Sequence, residues 1–334
     1  MIKVSSPRKV ILFGEYAILF DKLGMAGAIN KRIPISVGFG KNGVNIIQHS
    51  QYAGFRTHRD EMFQLLDRFN MYYKNENIEG IRKLSFDDAI TVVIGKILRK
   101  YGFRDLEVDI TIKKSLKGIG QSASIFSGIT FAVSKLLELE LSNKEIADIA
   151  LLGDIIVNGG LSSGIDTDTV INGGFNLFTK SKELTPLNVK NEIPVIIVDS
   201  GILSRNNITV PAVRKLKEEK TDYVDSILNE IDEISKNAIL ALEKNGLETI
   251  GQLMNRNHNL LKELGVSNEK IEEIINLAIK NEAIGAKLTA GGRGGCVIVL
   301  AREVSEVDLI DTFNNEGFYA FKTTLGAEGV KLEK

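Results

Sequence analysis

The chain has 334 residues, 43% of them hydrophobic and 25% charged, which suits a globular protein of one to three domains with a sizeable core. Its 42 basic and 43 acidic residues leave a net charge of −1, which argues against a nucleic-acid-binding scaffold but not against a local site for a small anion. The single cysteine excludes an internal disulfide framework and fits a reducing compartment.

The N-terminal segment MIKVSSPRK lacks the apolar core of a signal peptide, and no apolar run reaches the length of a membrane span. A cytoplasmic protein is expected. An early strand is predicted near Val10 to Phe13. His49 and His58 follow in a polar stretch without metal-ligand spacing and read as surface residues. In LEVDITIKK, Leu106, Val108, Ile110 and Ile112 alternate with polar residues, the period of a half-buried strand. A basic run then leads into GIGQSASIFSG, after which Phe126, Ile129, Val133, Leu136 and Leu137 recur at helical spacing. Ser142 to Glu145 forms a capping box ahead of IADIALL, so a second helix starts there. The polar stretch from Lys180 to Pro194 breaks the pattern and marks a boundary between units 1–183 and 184–334. Beyond it come a buried strand at 195–199, a helix-rich region in which KLKEEK is a solvated face, the strand CVIVL and an alternating tail. Cys296 opens CVIVL and reads as a buried strand residue rather than a nucleophile. The order predicts a two-domain α+β arrangement rather than a regular βαβ series.

Chemistry concentrates in four short stretches. Gly118 and Gly120 stand at the mouth of a helix, where unpaired N–H groups and the positive dipole end favour a phosphate, and Ser122 offers a hydroxyl to phosphate or Mg²⁺. The absence of G-K-S/T rules out a Walker A loop. Gly118-Ile-Gly120-Gln-Ser-Ala123 also satisfies the dinucleotide fingerprint, with Glu138 about 20 residues on, and a bare glycine turn is the third possibility. The alternating strand before it and the absence of a strand before the helix capped at Ser142 count against a dinucleotide fold. GAKLTAGGRGGCVIVL (285–300) carries five glycines before a buried strand, a density that requires sharp turns or close approach to a ligand. SPRKVILFGEYAILF carries Lys9 and Glu15 around a strand, and SSGIDTDTVINGG sets Asp166 in a Gly/Ser-rich turn.

Together these stretches resemble the GHMP kinases and, within them, the mevalonate kinase branch. The motif P-x-K-V-I-L-x-G-E-H-A-V-V resembles Pro7 to Leu19, and P-x-x-x-G-L-G-S-S-A is similar to Lys114 to Ala123. G-A-K-L-T-G-A-G-G-G-G-C is similar to Gly285 to Cys296. The P-S-G-V/I-D and G-G pair resembles Ser163 to Asp166 with Gly173-Gly174. N-H-x-L-L-x-x-L-G-V-S is similar to Asn257 to Ser267, which places His258 on a helix in a structural role, and the ending resembles Thr323 to Val330. The ordered set spans nearly the whole chain.

The resemblance implies a two-domain GHMP kinase fold. Its N-terminal, ATP-binding domain is similar to domain 2 of ribosomal protein S5, and its C-terminal domain is ferredoxin-like. It implies an ATP-dependent small-molecule kinase that phosphorylates the primary 5-hydroxyl of mevalonate or a close derivative, with ATP and Mg²⁺ as cofactors. Gly118, Gly120, Gln121, Ser122 and Ala123 would bind the nucleotide, and Lys9 and Asp166 would be catalytic. Glu15, Tyr16, Thr209, Gly292 and Arg293 would face the acceptor. Ser122 would ligate the metal, with Asp154 as its acidic partner. No nucleic acid or membrane partner is implied, and a homodimer is left open.

Several positions depart from the family's pattern. Tyr16 replaces a histidine, Gln121 a serine and Lys114 a proline. The metal-binding glutamate expected eleven residues before Asp166 falls on Ile155, one place beyond Asp154. Arg293 stands where glycine is usual, and with Arg205 and Arg214 it could serve an acceptor that already carries a phosphate. Mevalonate-3-phosphate 5-kinase and phosphomevalonate kinase are therefore alternatives, and a non-catalytic nucleotide-binding homologue is a remoter one.

Overall fold

A computed structural model describes residues 1–41, 44–50, 52–112, 114–116, 118–160, 162–179, 182–189, 191–204, 206–302 and 306–333. Its first two strands, β1 (Ile2–Phe13) and β2 (Gly24–Phe39), pair antiparallel along most of their length. β2 is the hub of the sheet. Its second half pairs with β5 (Leu106–Ile110), and its first half pairs with β6 (Phe175–Thr179). At Ile29 it also meets Leu325 of β11 (Tyr319–Leu325).

With β3 (Val44–His49), β4 (Tyr52–His58), β8 (Ile193–Asp199), β9 (Gly285–Leu288) and β10 (Cys296–Leu300), the path reads β4-β3-β5-β2-β11-β8-β10-β9. Two sheets, one from each half of the chain, are thus stitched edge to edge at β2 and β11. The fold is α+β, as expected.

On the first half lie α1 (Arg59–Lys74), α3 (Phe86–Tyr101), α4 (Gln121–Leu136) and α5 (Asn143–Val157), which cover one apolar cluster. The second half carries α8 (Thr221–Glu243), α9 (Leu247–Glu263) and α10 (Glu269–Lys280) over another. That second cluster also takes in Val10 and Leu12 of β1 and Leu116 and Ile119 of the loop before α4, so the halves share a core. Ser142 caps α5 as predicted: its hydroxyl accepts from Glu145 N at 3.3 Å, and the Glu145 carboxylate accepts from Ser142 N at 2.9 Å. α4 runs on to α5 without an intervening strand, which removes the dinucleotide reading of Gly118 to Ala123. Among the described residues no helix is long and apolar enough to cross a membrane.

Some elements differ from expectation. β1 starts at Ile2 rather than near Val10, because Ser5, Ser6, Arg8 and Lys9 are polar yet buried and hide the strand's apolar signature. The expected interruption from 180 folds as β7 (Lys182–Leu187), a hairpin partner of β6, so the division at 183/184 falls within a strand. Residues 180, 181 and 190 of that stretch lie outside the described residues. Asp166 sits in the first turn of α6 (Ile165–Asn172) rather than in an open turn. His58 is the exposed N-cap of α1, whereas His49 is half-buried with its ring edge-on to Phe86, 6.3 Å between centroids.

Candidate active site

β1 delivers Lys9 to the N-terminus of α4. Gly120 caps that helix with φ 68°, and a Cβ built on it would lie 2.7 Å from Lys9 Cγ, so only glycine lets the two segments approach. Lys9 N donates to Ile119 O at 3.3 Å, tying strand to loop. Its ammonium meets Asp166 Oδ1 at 2.6 Å, with the lysine side chain 4% exposed and the aspartate 32%. A buried cation thus presents a carboxylate that still reaches solvent.

Asp154 lies beside this pair, 1% exposed on α5. It accepts from Ser122 Oγ at 3.0 Å and from Ser162 Oγ at 2.6 Å. Burial, then the nearby Asp166 carboxylate, push its pKa up to about 6, against the two hydroxyls and Lys9, which pull it down. Ile155, the position at which the family's acid was expected, is buried in the apolar cluster under α3. One step round the helix turns the acid towards Ser122. Hard oxygen donors in this arrangement fit Mg²⁺, which takes one or two carboxylates and fills its shell with substrate oxygens and water. Among the described residues no group of three or more His, Cys, Asp or Glu could hold a metal ion.

The second glycine-rich loop comes close to the first. A Cβ built on Gly118 would stand 3.6 Å from Gly295 Cα and 3.9 Å from Ala290 Cβ. Thr289 Oγ1 clamps this loop to β1, accepting from Ile11 N at 3.2 Å and donating to Ile11 O at 3.0 Å. Gly292 O accepts from Ser204 Oγ at 3.1 Å. Tyr16, 5% exposed, donates its hydroxyl to Gly291 O and is also hydrogen-bonded to Thr209 of α7 (Asn206–Glu219). Burial pushes this phenol up to about 12. Thr209 and Arg293 line a cavity of about 380 Å³ with Ile202, Leu203 and Ile208. Arg293 holds φ 49° and anchors its Nε on Gly265 O at 2.9 Å. Arg214 is exposed on α7, and Arg205 lies outside the described residues.

Two expected site residues occupy other places. Glu15, expected at the acceptor, is 2% exposed and forms an ion pair with Lys287, itself 0% exposed. Burial pushes the Glu15 carboxyl up and the Lys287 amine down, each opposed by its partner. Gln121, expected to touch nucleotide, spends its side chain on the loop: its Oε1 accepts from Arg8 Nη2 at 3.0 Å and from Leu116 N at 3.1 Å, and its Nε2 donates to Ser115 Oγ at 3.1 Å. Ala123 is buried in the helix. His258 is 2% exposed, its Nε2 2.9 Å from Glu272 Oε1, a packing role as expected, and Cys296 is buried on β10, where desolvation raises its thiol pKa. Sequence reasoning missed Lys287 and Ser162. The lysine inside the buried strand GAKL was the available signal for the first; no spacing rule marks the second.

Residues 88–174 match the family model of the GHMP kinases N terminal domain, and residues 238–320 match GHMP kinases C terminal. A mevalonate kinase of Pyrococcus horikoshii is 32% identical over 347 residues, covering 100% of this chain and 98% of the relative. That of Thermococcus gammatolerans is 30% identical over 341 residues, with the same coverage. Among solved structures, a mevalonate kinase superposes with TM-score 0.84 at 25% identity, covering 98% of this chain and 100% of that one. The Methanococcus jannaschii mevalonate kinase superposes with TM-score 0.81 at 25% identity, covering 97% and 98%.

Proposed function

The chain belongs to the GHMP kinase family, a family of ATP-dependent kinases, and from that premise we propose that it transfers the γ-phosphoryl group of ATP to the primary 5-hydroxyl of mevalonate. The observation that carries this reading is the Lys9–Asp166 pair at 2.6 Å, set between a glycine-capped helix N-terminus and the second glycine-rich loop. Phosphoryl transfer needs positioning, charge neutralisation and a place for the hydroxyl proton rather than covalent work by the protein.

Each side chain then has one task. Asp166 orients the acceptor hydroxyl and takes its proton, while Lys9 steadies Asp166 through their ion pair and faces the developing phosphoryl charge. The N–H groups from Gly118 to Ala123 receive the phosphates at the start of α4. Ser122 and Asp154 would hold Mg²⁺, which would supply positive charge against the nucleotide phosphates. Tyr16, Thr209, Gly292 and Arg293 shape the acceptor side, and Glu15 acts from behind, through Lys287, by holding the segment that carries the second glycine loop. In this reading the chain through the β6–β7 hairpin forms the ATP-binding domain, the remainder the second domain, and the site lies between them.

Arg293 favours a second reading. A guanidinium lining the cavity beside Thr209 suits an acceptor that already carries a phosphate, as in mevalonate-3-phosphate 5-kinase or phosphomevalonate kinase. ATP consumption measured side by side with mevalonate, mevalonate 3-phosphate and mevalonate 5-phosphate decides between them. Turnover of mevalonate supports the first reading. Turnover restricted to a phosphorylated acceptor replaces it with the second, and turnover of none rejects both.

A further inference from the structure

Among the described residues, Arg8 is the one buried guanidinium at the site to which the proposed chemistry gives no task. It is 2% exposed on β1, next to Lys9 but turned to the other side of the strand. Its Nη2 donates to Lys114 O at 3.1 Å and to Gln121 Oε1 at 3.0 Å. Gln121 in turn ties Leu116 N and Ser115 Oγ to the first residue of α4. Arg8 therefore fastens the beginning of the 114–121 loop to its end, and Leu116 and Ile119 pin the middle by burying their side chains completely.

The charge of this arginine is a separate observation. Its Nε and Nη1 are buried without a hydrogen-bond partner, and among the described residues no carboxylate forms an ion pair with it. The titratable side chains that face it are the Cys296 thiol and the Tyr319 phenol, neither of them a carboxylate. Burial lowers its pKa only to about 10, so it remains a cation. A buried charge with unmet donors and no ion-paired carboxylate is costly for the fold to keep. Such a cost persists where an anion outside the fold compensates it.

We propose that Arg8 is the positioning residue of the phosphate loop, clasping 114–121 through Gln121 and lending its charge, through the loop, to the phosphates of a bound nucleotide. This rests on the nucleotide reading above and adds to it a residue and a reason for the glutamine at position 121. The nucleotide's charge is recognised from behind the loop as well as at the helix N-terminus.

The test is calorimetric titration of the full-length protein with MgATP, MgADP and AMP. Arg8→Met should weaken MgATP about tenfold or more, the scale of a lost charge-assisted contact, weaken MgADP less and leave AMP within about twofold. Arg8→Lys, which keeps the charge without the fork, should recover part of the loss. In turnover assays the KM for ATP should rise while the KM for the acceptor stays put, a split that a merely structural lesion does not produce. Should Arg8→Met fail to fold, Gln121→Met removes the clasp while leaving the charge, and should weaken MgATP severalfold more than AMP. Unchanged MgATP affinity in a folded Arg8→Met protein, equal losses for MgATP and AMP, or an unaffected Gln121→Met would overturn the proposal. Failure of the wild type to bind MgATP would instead overturn the nucleotide reading itself.

Discussion

Two lysine–carboxylate pairs join distant parts of this chain, and their surroundings separate their uses. Lys9–Asp166 is lopsided, with the lysine buried and the carboxylate one-third exposed to solvent. Lys287–Glu15 is sealed, with side chains 0% and 1% exposed and a further bond from Lys287 Nζ to Leu288 O at 2.7 Å. A carboxylate that meets both a cation and solvent can accept a substrate hydroxyl. One that meets only a buried cation can hold two segments together and little else. Glu15 is bound to β9 in the same way that Tyr16 and Thr289 bind β1 and its following turn to the second glycine loop.

The sealed pair offers the largest effect. Glu15→Gln leaves Lys287 buried without its partner and should destabilise the protein by about 3–5 kcal/mol, the usual cost of breaking a buried pair from one side. Replacing both groups with apolar ones, Glu15→Leu with Lys287→Met, should recover most of that loss. At a temperature where Glu15→Gln remains folded, turnover should fall less than about tenfold, because its carboxylate is sealed from solvent. Denaturant melts of the two single variants and the double variant supply the cycle. A stable Glu15→Gln protein with abolished turnover would reverse the assignment and return Glu15 to the acceptor.

The open pair should show the opposite signature. Asp166→Asn keeps the shape of the turn and should leave folding and MgATP binding nearly intact, yet lower kcat about a hundredfold or more, the scale of a positioned acid–base group. Lys9→Met should cost a similar amount of activity, and the two losses should not add, since the charges act as one unit. Near-normal turnover by Asp166→Asn would remove that carboxylate from the chemistry and leave the contrast between the pairs without a functional meaning.

The difference between the pairs also explains what could be read from the sequence. Lys9, Asp166, Gly120 and Ser122 stand in short, recognisable stretches (a strand end, a glycine at a helix mouth and a Gly/Ser-rich approach) that also carry the resemblance to the GHMP kinases, and it is the resemblance that implies their roles. The capping box at Ser142 and the alternation of β5 were legible from the local sequence alone. The contacts of Glu15 and Gln121 were not legible because their partners, Lys287 and Arg8, lie 272 and 113 residues away, and no local period reports which carboxylate or amide is turned inward. The start of β1 was hidden by the same effect, since Ser6, Arg8 and Lys9 are polar residues that the fold buries. Asp154 could be suspected but not placed, because one residue of helix register decides whether an acid faces Ser122 or the core.

Asp154 lies between the two extremes, buried like Glu15 but without a lysine of its own, and it yields the smallest effect. In metal-free protein its folded-state pKa of about 6 exceeds its ordinary 3.8. The folded state therefore keeps a proton that the unfolded chain has already lost between about pH 4 and 6. Stability from this group is full below that window and is lost as pH rises through it, by about 1–3 kcal/mol in all. Asp154→Asn removes the titration. It should melt higher than wild type at pH 7.5 in a chelating buffer and show no such gain at pH 4. The same substitution should raise the Mg²⁺ concentration needed for MgATP turnover, because it withdraws the carboxylate bonded to Ser122. Melts of wild type and variant run in parallel at the two pH values isolate this group from every other that titrates. If the two proteins track each other, Asp154 is not held as a strained acid; if only the Mg²⁺ requirement is unmoved, it is strained but does not serve the metal. A gain in metal-free stability joined to a higher Mg²⁺ requirement is the outcome expected of a carboxylate kept buried for a cation it binds only with the nucleotide.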